Sequence, residues 1–192
     1  MSSSIPQTNL ENQFLIAMPQ MQDSFFSGTV TYLWKHSKDG ALGIVLNKPL
    51  AATVSDILEE LNINCDKELD SIDQQKVVAG GPVERDKGFI LHNSDRAWDS
   101  SIKTGPGISL CTSRTILQDI AIGQGPEKYL IALGCAGWDG GQLEKEIADN
   151  AWLNVPVQDT LLFSRDYETM ASSAAALLGI AFNQISPQAG HS

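Results

Sequence analysis

One segment, residues 128–153, restricts the fold of this chain more than any other, because it places glycines between an apolar run and an amphipathic pattern. Its sequence is KYLIALGCAGWDGGQLEKEIADNAWL. The apolar residues 129–133 are typical of a buried strand, and the four glycines within residues 134–141 indicate a sharp turn. A helix is predicted to leave this turn, because apolar residues recur on one face: Leu143, Ile147 and Ala151.

The length and charge of the chain limit both its domain number and its partners. A chain of 192 residues predicts a single domain over residues 1–192 that can bury a sizeable core, with loose tails at about 1–9 and 187–192. The formal net charge is −10, from 23 acidic and 13 basic residues, and no run of Lys and Arg offsets it. Direct binding to nucleic acid is therefore not expected, because the protein would repel phosphate backbones.

The cysteines and the apolar runs indicate where the protein is found. The three cysteines (Cys65, Cys111 and Cys135) are odd in number and form no CxxC pair, so neither a disulfide framework nor a zinc knuckle is indicated. Free thiols in a reducing cytosol are expected. The first residues lack the pattern of a signal peptide, and no run of about 18 apolar residues predicts a membrane span. We therefore expect a cytoplasmic protein without a membrane segment.

The first third of the chain predicts a hairpin. Residues 14–18 are an apolar strand, and residues 29–36 alternate between two faces in a run rich in β-branched and aromatic side chains. Asp39 and Gly40 form a turn signal before a further apolar strand over residues 41–47. We expect residues 29–47 to fold as two antiparallel strands.

Helices are predicted at three further places, each with a capping signal. Thr53 and Asp56 have the spacing of a capping box at the start of a helix over residues 53–61. Ser113 precedes a helix over 114–122, and Gly179 ends one over 166–178. Short strands are expected at 76–79, 88–92, near Ile102, at 108–112 and at 161–163, with a loop over 62–75. This mixture of hairpins and strand–helix alternation predicts an α/β (α+β) domain, a mixed sheet with helices packed outside it.

The central turn allows two interpretations. Asp139 and Gln142 have capping-box spacing, so Asp139 is predicted to accept hydrogen bonds from the first turn of the helix. A helix start beside a strand end could instead hold an anion, but GCAGWDGGQ matches neither a Walker loop nor a dinucleotide fingerprint. The structural capped turn is favoured. Cys135 follows the predicted strand and could be a reactive thiol, although a small buried side chain is the favoured interpretation.

Three turns carry groups that could contact a ligand or a partner: residues 47–48, 80–85 and 134–142. Lys48 and Arg85 could each bind an anion, or pair with acidic neighbours and solvent. The candidate contact residues are Asn47, Lys48, Gly80, Gly81, Arg85, Gly134, Cys135, Gly137, Trp138, Asp139 and Gln142.

The remaining polar residues predict no catalytic or metal site. His36 and His92 both end strands and could share a site, but two histidines without a third ligand are a weak metal signal. Glu144 and Glu146 lie two apart on a helix and face different ways, so they are not a catalytic pair. Trp138 and Trp152 flank that helix and are interpreted as packing anchors. No GxSxG, HExxH or SxxK motif is present, and neither a cofactor nor a metal is predicted.

Four segments are distinctive in their order and spacing: NQFLIAMPQMQDSFFSGTVTYLWKHSKDGALGIVLNKPL, VAGGPVERDKGFILH, LCTSRTILQDIA and LIALGCAGWDGGQLEKEIADNAWL. Together they resemble the YqgE/AlgH family of bacterial proteins. The resemblance implies a branched β-sheet bent into a pseudo-barrel with flanking helices. Some members carry the label of putative transcriptional regulator, and the family brings no established enzymatic activity or catalytic residues. Cys135 replaces a different residue in many members, which argues against a shared thiol mechanism.

Three functional hypotheses follow. The first is a non-enzymatic regulatory or binding module that contacts an unknown protein partner or small ligand and acts at most indirectly on transcription. The alternative is a small-ligand sensor or an enzyme with its pocket at the three glycine-rich turns. A third, weaker hypothesis is a redox sensor at Cys135.

Overall fold

The computed structural model describes residues 8–65, 72 and 74–181. Ten strands form its sheet. The strands are β1 (Gln13–Ala17), β2 (Val30–Ser37), β3 (Gly40–Val45), β4 (Pro49–Thr53), β5 (Lys76–Ala79), β6 (Val83–His92), β7 (Ile102–Gly105), β8 (Ile108–Cys111), β9 (Tyr129–Asp139) and β10 (Trp152–Pro156). The helices are α1 (Val54–Glu60), α2 (Arg114–Ala121), α3 (Gln142–Ala148), α4 (Asp159–Leu162) and α5 (Met170–Ala176).

The sheet branches at β9, its longest strand. The main path runs β10-β1-β2-β3-β9-β6-β8-β7, and each strand on it is antiparallel to its neighbours. A side branch leaves β9 through β5, which pairs with β9 in parallel, and ends at β4. The two strands on one edge of β9 therefore divide it between them: β5 pairs with residues 132–133 and β3 with residues 136–139.

The sheet curls until its β7 end meets β1 and β2. The Tyr32 hydroxyl of β2 lies 2.8 Å from Thr104 Oγ1 of β7 and 3.1 Å from Asn12 Oδ1. Burial raises the pKa of Tyr32 to about 12. The curled half-barrel with flanking helices confirms the predicted mixed α/β architecture and the bent, branched sheet that the family resemblance implies.

Alternate residues of the strands fill two sides of this sheet. One side encloses a core that α4 and α5 cover, with Phe14, Tyr32 and Leu91 among its buried side chains. The other side carries two separate clusters, one under α1 and α2 and one under α3. The predicted alternation in β2 is confirmed, because Tyr32 faces the enclosed core and Leu33 faces the α3 cluster. None of the helices in the described ranges is both long and apolar enough to cross a membrane.

The local signals with the clearest physical cause are confirmed. β2 and β3 form the predicted hairpin, with Ser37 opposite Gly40. Thr53 caps α1 in a capping box with Asp56, whose pKa is lowered by the backbone N–H of Thr53. The Ser113 side chain caps α2 by accepting from the backbone N–H of Thr115. Each of these features depends on residues within four positions of one another, so tertiary packing does not override them.

The predicted turn over residues 134–141 is wrong in most of its length. β9 continues through it to Asp139, and the chain turns only at Gly140 and Gly141. Gly134 takes a left-handed backbone conformation inside the strand, at the point between the β5 and β3 pairings. Gly134 therefore allows the sheet to branch and does not form a turn, because the backbone must bend where the partner of β9 changes from β5 to β3.

Several other predicted elements are corrected. β4 and β10 are strands that the sequence pattern did not indicate, and β6 begins five residues before the expected strand at Gly88. Residues 161–163 fall on α4 and its end rather than on a strand, and the last helix is shorter than residues 166–178. Pairing with strands distant in sequence decides the three strands among these elements. The predicted loop over 62–75 lies partly outside the described residues, and Ile72 and Gln74 within it are helical. Of the predicted tails, residues 1–7 and 187–192 lie outside the described residues, and Asn9 is exposed.

Candidate functional site

Four candidate residues meet at the branch of the sheet. Gly80 follows β5 and lies against the carbonyl of Gly134, and Gly81 lies against the backbone of Cys135. A β-carbon on either Gly80 or Gly81 would collide with β9. The glycines predicted to approach a ligand therefore approach the backbone of another strand, and the space between them is filled.

Cys135 lies within β9 and not at a helix start. Its side chain is 2% exposed and belongs to the enclosed core. Burial raises the pKa of the Cys135 thiol, and the nearby Glu84 carboxylate acts in the same direction. A thiol in this setting is a poor nucleophile, because the thiolate is the reactive form. The buried-residue interpretation of Cys135 is consistent with this environment, and Cys111 is also fully buried.

Asn47 and Lys48 hold the segment before β2. Asn47 Oδ1 accepts from the Val30 backbone N–H at 2.8 Å, and its Nδ2 donates to the Gly28 carbonyl at 3.0 Å. Lys48 Nζ donates to the Phe25 carbonyl at 2.8 Å and lies 4.0 Å from the centroid of the Phe25 ring. Both side chains are therefore occupied by contacts within the fold.

Glu146 joins the two tryptophans at the end of β9. Its Oε2 accepts from Trp138 Nε1 at 3.0 Å and from Trp152 Nε1 at 2.8 Å. The two rings meet edge to face, with their centroids 5.8 Å apart. Gln142 Nε2 donates to Glu146 Oε1 at 2.9 Å. The tryptophans are packing anchors of α3 in this structure, and their indole N–H groups are paired.

The predicted cap of this helix is wrong. α3 is preceded by Gly141 in a left-handed conformation, and no side chain caps it. Asp139 is the last residue of β9 and lies two residues before Gly141, the N-cap of α3. Its backbone N–H donates to Gln142 Oε1 at 3.0 Å, so Asp139 is a donor in this turn. Gly137 is exposed in the same strand. Trp138, Asp139 and Gln142 therefore share one corner of the molecule, beside α3.

The two histidines do not share a site. His36 Nδ1 accepts from the Leu10 backbone N–H at 3.2 Å, and its Nε2 lies 2.7 Å from Glu144 Oε1. His92 is fully buried and meets the Trp98 ring edge to face at 5.2 Å. His92 pairs directly with Tyr129 at the start of β9, whereas His36 is linked through Ala41 of β3 to Trp138 near its end. These two positions on β9 are about 30 Å apart at the usual rise of a strand. Within the described residues, no group of three His, Cys, Asp or Glu side chains could hold a metal ion.

A cleft lies on the outer side of the sheet, between α1 and α2. Of the candidate residues predicted from the sequence, Arg85 lines it. We name it the α1–α2 cleft. Its volume is about 370 Å³, within the range of about 300–1,000 Å³ that is usual for small-molecule sites. Its described lining is Ile57, Glu60, Leu61, Arg85, Asp86, Gly88, Ile90, Thr112, Ser113, Arg114, Leu117, Ile131 and Leu133.

The floor of the α1–α2 cleft is apolar because it is an uncovered part of the cluster under α1 and α2. Ile90, Leu117 and Ile131 are buried members of that cluster. Gly88 lies between this floor and the rim, and a β-carbon there would meet nothing within 4 Å. The cleft is therefore open at Gly88 for lack of a side chain.

A bulge at the start of β6 supplies one rim. β6 pairs Val83 with Cys135 and Gly88 with Leu133, so five steps along β6 match only two along β9. The extra residues stand out from the sheet, and Glu84 takes a left-handed conformation with φ of 48°. Bulges of this kind redirect side chains and are frequent beside functional sites. The turn predicted at residues 80–85 is therefore in part a strand bulge, because β6 already begins at Val83.

The two sides of this bulge each carry one cation and one anion, but only one of the two cations is in an ion pair with a described residue. Lys87 Nζ lies 3.8 Å from Glu84 Oε1 and 5.4 Å from the centroid of the Phe89 ring, whose side chain belongs to the enclosed core. Arg85 and Asp86 line the cleft on the other side. Arg85 forms no ion pair with any residue in the described part of the chain. Its guanidinium is thus available to a group that enters the cleft.

The opposite rim is formed where α2 begins and α1 ends. Arg114 is the first residue of α2, and one of its guanidinium nitrogens donates to the carbonyl of Leu61, the C-cap of α1. This contact ties the two helices together across the mouth of the cleft. The positive end of the α2 dipole lies at the same place, beside the hydroxyls of Thr112 and Ser113.

The α1–α2 cleft combines charged and hydroxyl groups with an apolar floor, which is the composition that suits an amphipathic molecule. Its described lining supplies guanidinium, carboxylate and hydroxyl groups, and no histidine or cysteine is among them. Sequence reasoning identified Arg85 but missed Gly88 and Arg114. The signal for Arg114 was present in the Ser113 cap, which placed it at a helix start. Gly88 had no signal, because its role depends on the space beside it.

Comparisons with known proteins give one consistent result. A family model described as AlgH-like matches residues 14–183. A UPF0301 protein of Alcanivorax borkumensis is 45% identical over 98% of this chain and 99% of its own. A UPF0301 protein of Shewanella oneidensis is 44% identical over 95% of this chain and 98% of its own.

Solved structures agree with this result. The solution structure of the AlgH protein from Pseudomonas aeruginosa has a TM-score of 0.78 and 43% identity, with 100% of both chains covered. A crystal structure of a Corynebacterium diphtheriae protein has a TM-score of 0.71 over 91% of this chain and 90% of its own, and at 16% identity it supports the fold alone.

Proposed function

The chain belongs to the AlgH-like family, and from that membership and the geometry of the α1–α2 cleft we propose that it is a non-enzymatic binding module with a regulatory role. The observation that carries the proposal is the cleft itself, an opening of about 370 Å³ with an apolar floor and a guanidinium on each rim. Concave sites with a few convergent polar groups on apolar walls are the usual form of small-molecule sites.

Binding rather than catalysis is supported by the groups at the cleft. Arg85 and Arg114 can orient a ligand, and the apolar floor can shield part of it from water. The described lining supplies no histidine or thiol. A ligand held here would bridge α1, α2 and the bulge of β6, so its occupancy would change how firmly these three elements are held together.

An effect on transcription is indirect in this proposal. The net charge of −10 opposes contact with the phosphates of DNA. The protein would instead pass the state of the cleft to a protein partner. A cytoplasmic location belongs to the same proposal, and it is supported by the odd number of cysteines and the lack of a CxxC pair.

The proposal is tested by NMR on the full chain, with small anionic, neutral and cationic aliphatic fragments added in turn. We expect at least one fragment to shift the backbone amides of Gly88, Arg114 and Ile131 in a saturable way. The variant Gly88→Leu fills the opening and should abolish these shifts. Gly137→Ala, a glycine substitution outside the cleft with only ordinary contacts at 3.7 and 3.9 Å, should leave them unchanged. Absence of saturable shifts with every fragment would overturn the proposal.

A further inference from the structure

We propose that the ligand of the α1–α2 cleft is a small amphipathic monoanion, with a carboxylate head bound by Arg85 and Arg114 and an aliphatic tail on the floor beside Gly88. The inference rests on the proposed function and adds the chemical class of the ligand. It is carried by the charges on the two rims, the orientation of α2 and the space at Gly88.

The two guanidinium groups favour an anionic head. Neither Arg85 nor Arg114 forms an ion pair with a residue in ranges 8–65, 72 and 74–181, whereas Lys87 on the same bulge is paired with Glu84. Arg114 donates to the Leu61 carbonyl, which holds part of its guanidinium in place. Five N–H donors in a rigid fork leave a guanidinium capable of a further bond to a carboxylate.

The helix ends reinforce this preference. α2 begins at the cleft, so its positive dipole end adds to the potential that an anion would meet. The negative end of α1 is also near, but the Arg114 guanidinium already donates to the carbonyl of its C-cap, Leu61. A cationic head would therefore be repelled by two guanidinium groups and the positive end of a helix, and in the described lining only the carboxylates of Glu60 and Asp86 would attract it.

The carboxylates on the rim limit the charge of the head. Glu60 and Asp86 line the same opening and form no ion pair with a described residue. With two positive and two negative side chains, the rim can accept a head with a single charge more readily than one with two. This balance favours a carboxylate over a phosphate dianion.

The floor determines the tail. Ile57, Leu117 and Leu133 offer apolar surface and no hydrogen-bonding side chain, so a polar tail would lose its water without replacement. Gly88 leaves open space where any other residue would place a side chain, and its backbone is not in the left-handed region. Gly88 is thus the residue that determines how far a tail can enter.

The test compares eight-carbon probes on the full chain by NMR titration: octanoate, octyl phosphate, 1-octanol and octylammonium. We expect octanoate to bind about tenfold or more tightly than 1-octanol, since a hydrogen bond to a charged group is worth more than one between neutral groups. Octylammonium should bind most weakly, and octyl phosphate should bind more weakly than octanoate at pH 8. Arg85→Gln should remove most of the difference between octanoate and 1-octanol. Lys103→Gln, which removes an exposed cation from β7, should not.

The outcomes separate this inference from the proposed function. Equal or tighter binding of 1-octanol or octylammonium at the cleft would overturn the anion and leave the binding module in place. Tighter binding of octyl phosphate than of octanoate at pH 8 would overturn the single charge. A Gly88→Leu variant that still folds and binds octanoate as well as the natural chain would overturn the position of the tail. Failure of all four probes, together with the broader fragment set, would overturn both proposals.

Discussion

The backbone of Gly81 packs directly against the carbonyl group of Cys135, in the volume that a β-carbon at position 81 would occupy. This contact exists because β5 and β3 share one edge of β9, and the chain that leaves β5 must cross β9 between them. Both partners in the contact are backbone, so neither can rotate away.

Gly81→Ala is therefore expected to destabilise the fold by about 3 kcal/mol, the upper part of the usual range for an overpacked site. Urea unfolding followed by tryptophan fluorescence measures the effect. Gly137→Ala is the matched control, with a β-carbon at ordinary contact distance on the same strand, and should stay within about 1 kcal/mol of the natural chain. Equal unfolding midpoints for the two variants would contradict the crossing of β5 and β9.

Glu146→Ala should cost about 2–4 kcal/mol, because it leaves the indole N–H groups of Trp138 and Trp152 without their acceptor. The measurement is again the free energy of unfolding in urea. Glu59→Ala, on the exposed side of α1, should change stability by less than about 0.5 kcal/mol. A loss at Glu146 no larger than at Glu59 would mean that the two indole bonds contribute nothing.

Cys135 should be modified by iodoacetamide far more slowly than Cys65 in the native protein at pH 7.5. Cys65 is partly exposed, whereas Cys135 is buried and burial raises its thiol pKa. Peptide mass spectrometry over time distinguishes the two, and both should react at similar rates in concentrated urea. Native modification of Cys135 as rapid as that of Cys65 would restore the redox-sensor hypothesis.

The fold should become less stable as the pH falls below about 6.5, the ordinary pKa of a histidine, because His92 is buried. Burial lowers the pKa of His92 in the folded chain, so between the folded and unfolded pKa values the unfolded chain binds more protons and stability decreases with decreasing pH. The urea midpoint should fall between pH 7.5 and pH 5.5. His92→Leu should reduce that slope, whatever its effect on stability at pH 7.5, and an unchanged slope would refute the assignment.

The resemblance and the local patterns together predicted a large part of the fold. The Asp39-Gly40 hairpin and the caps at Thr53 and Ser113 are present as predicted, because each is a short-range interaction that the sequence records directly. The bent, branched sheet followed from the family resemblance and not from periodicity.

The errors share one physical cause. β4 and β10 are short strands whose hydrogen-bonding partners lie far away in sequence, so their pattern alone was ambiguous. The glycines of β9 were interpreted as a turn because glycine frequently marks turns, but Gly134 accommodates the exchange of strand partners and Gly80 and Gly81 accommodate their close approach.

The candidate residues for the site also fall into two groups, those with contacts inside the fold and one that lines the cleft. Of the residues proposed from sequence, Asn47, Lys48 and Trp138 are occupied by internal contacts, and Arg85 lines the α1–α2 cleft. The sequence by itself determined the net charge of the chain and its short-range features, the hairpin and the helix caps at Thr53 and Ser113. Only the tertiary structure decided which glycines meet a backbone and which opens a cleft, because that depends on what lies across the sheet from each of them.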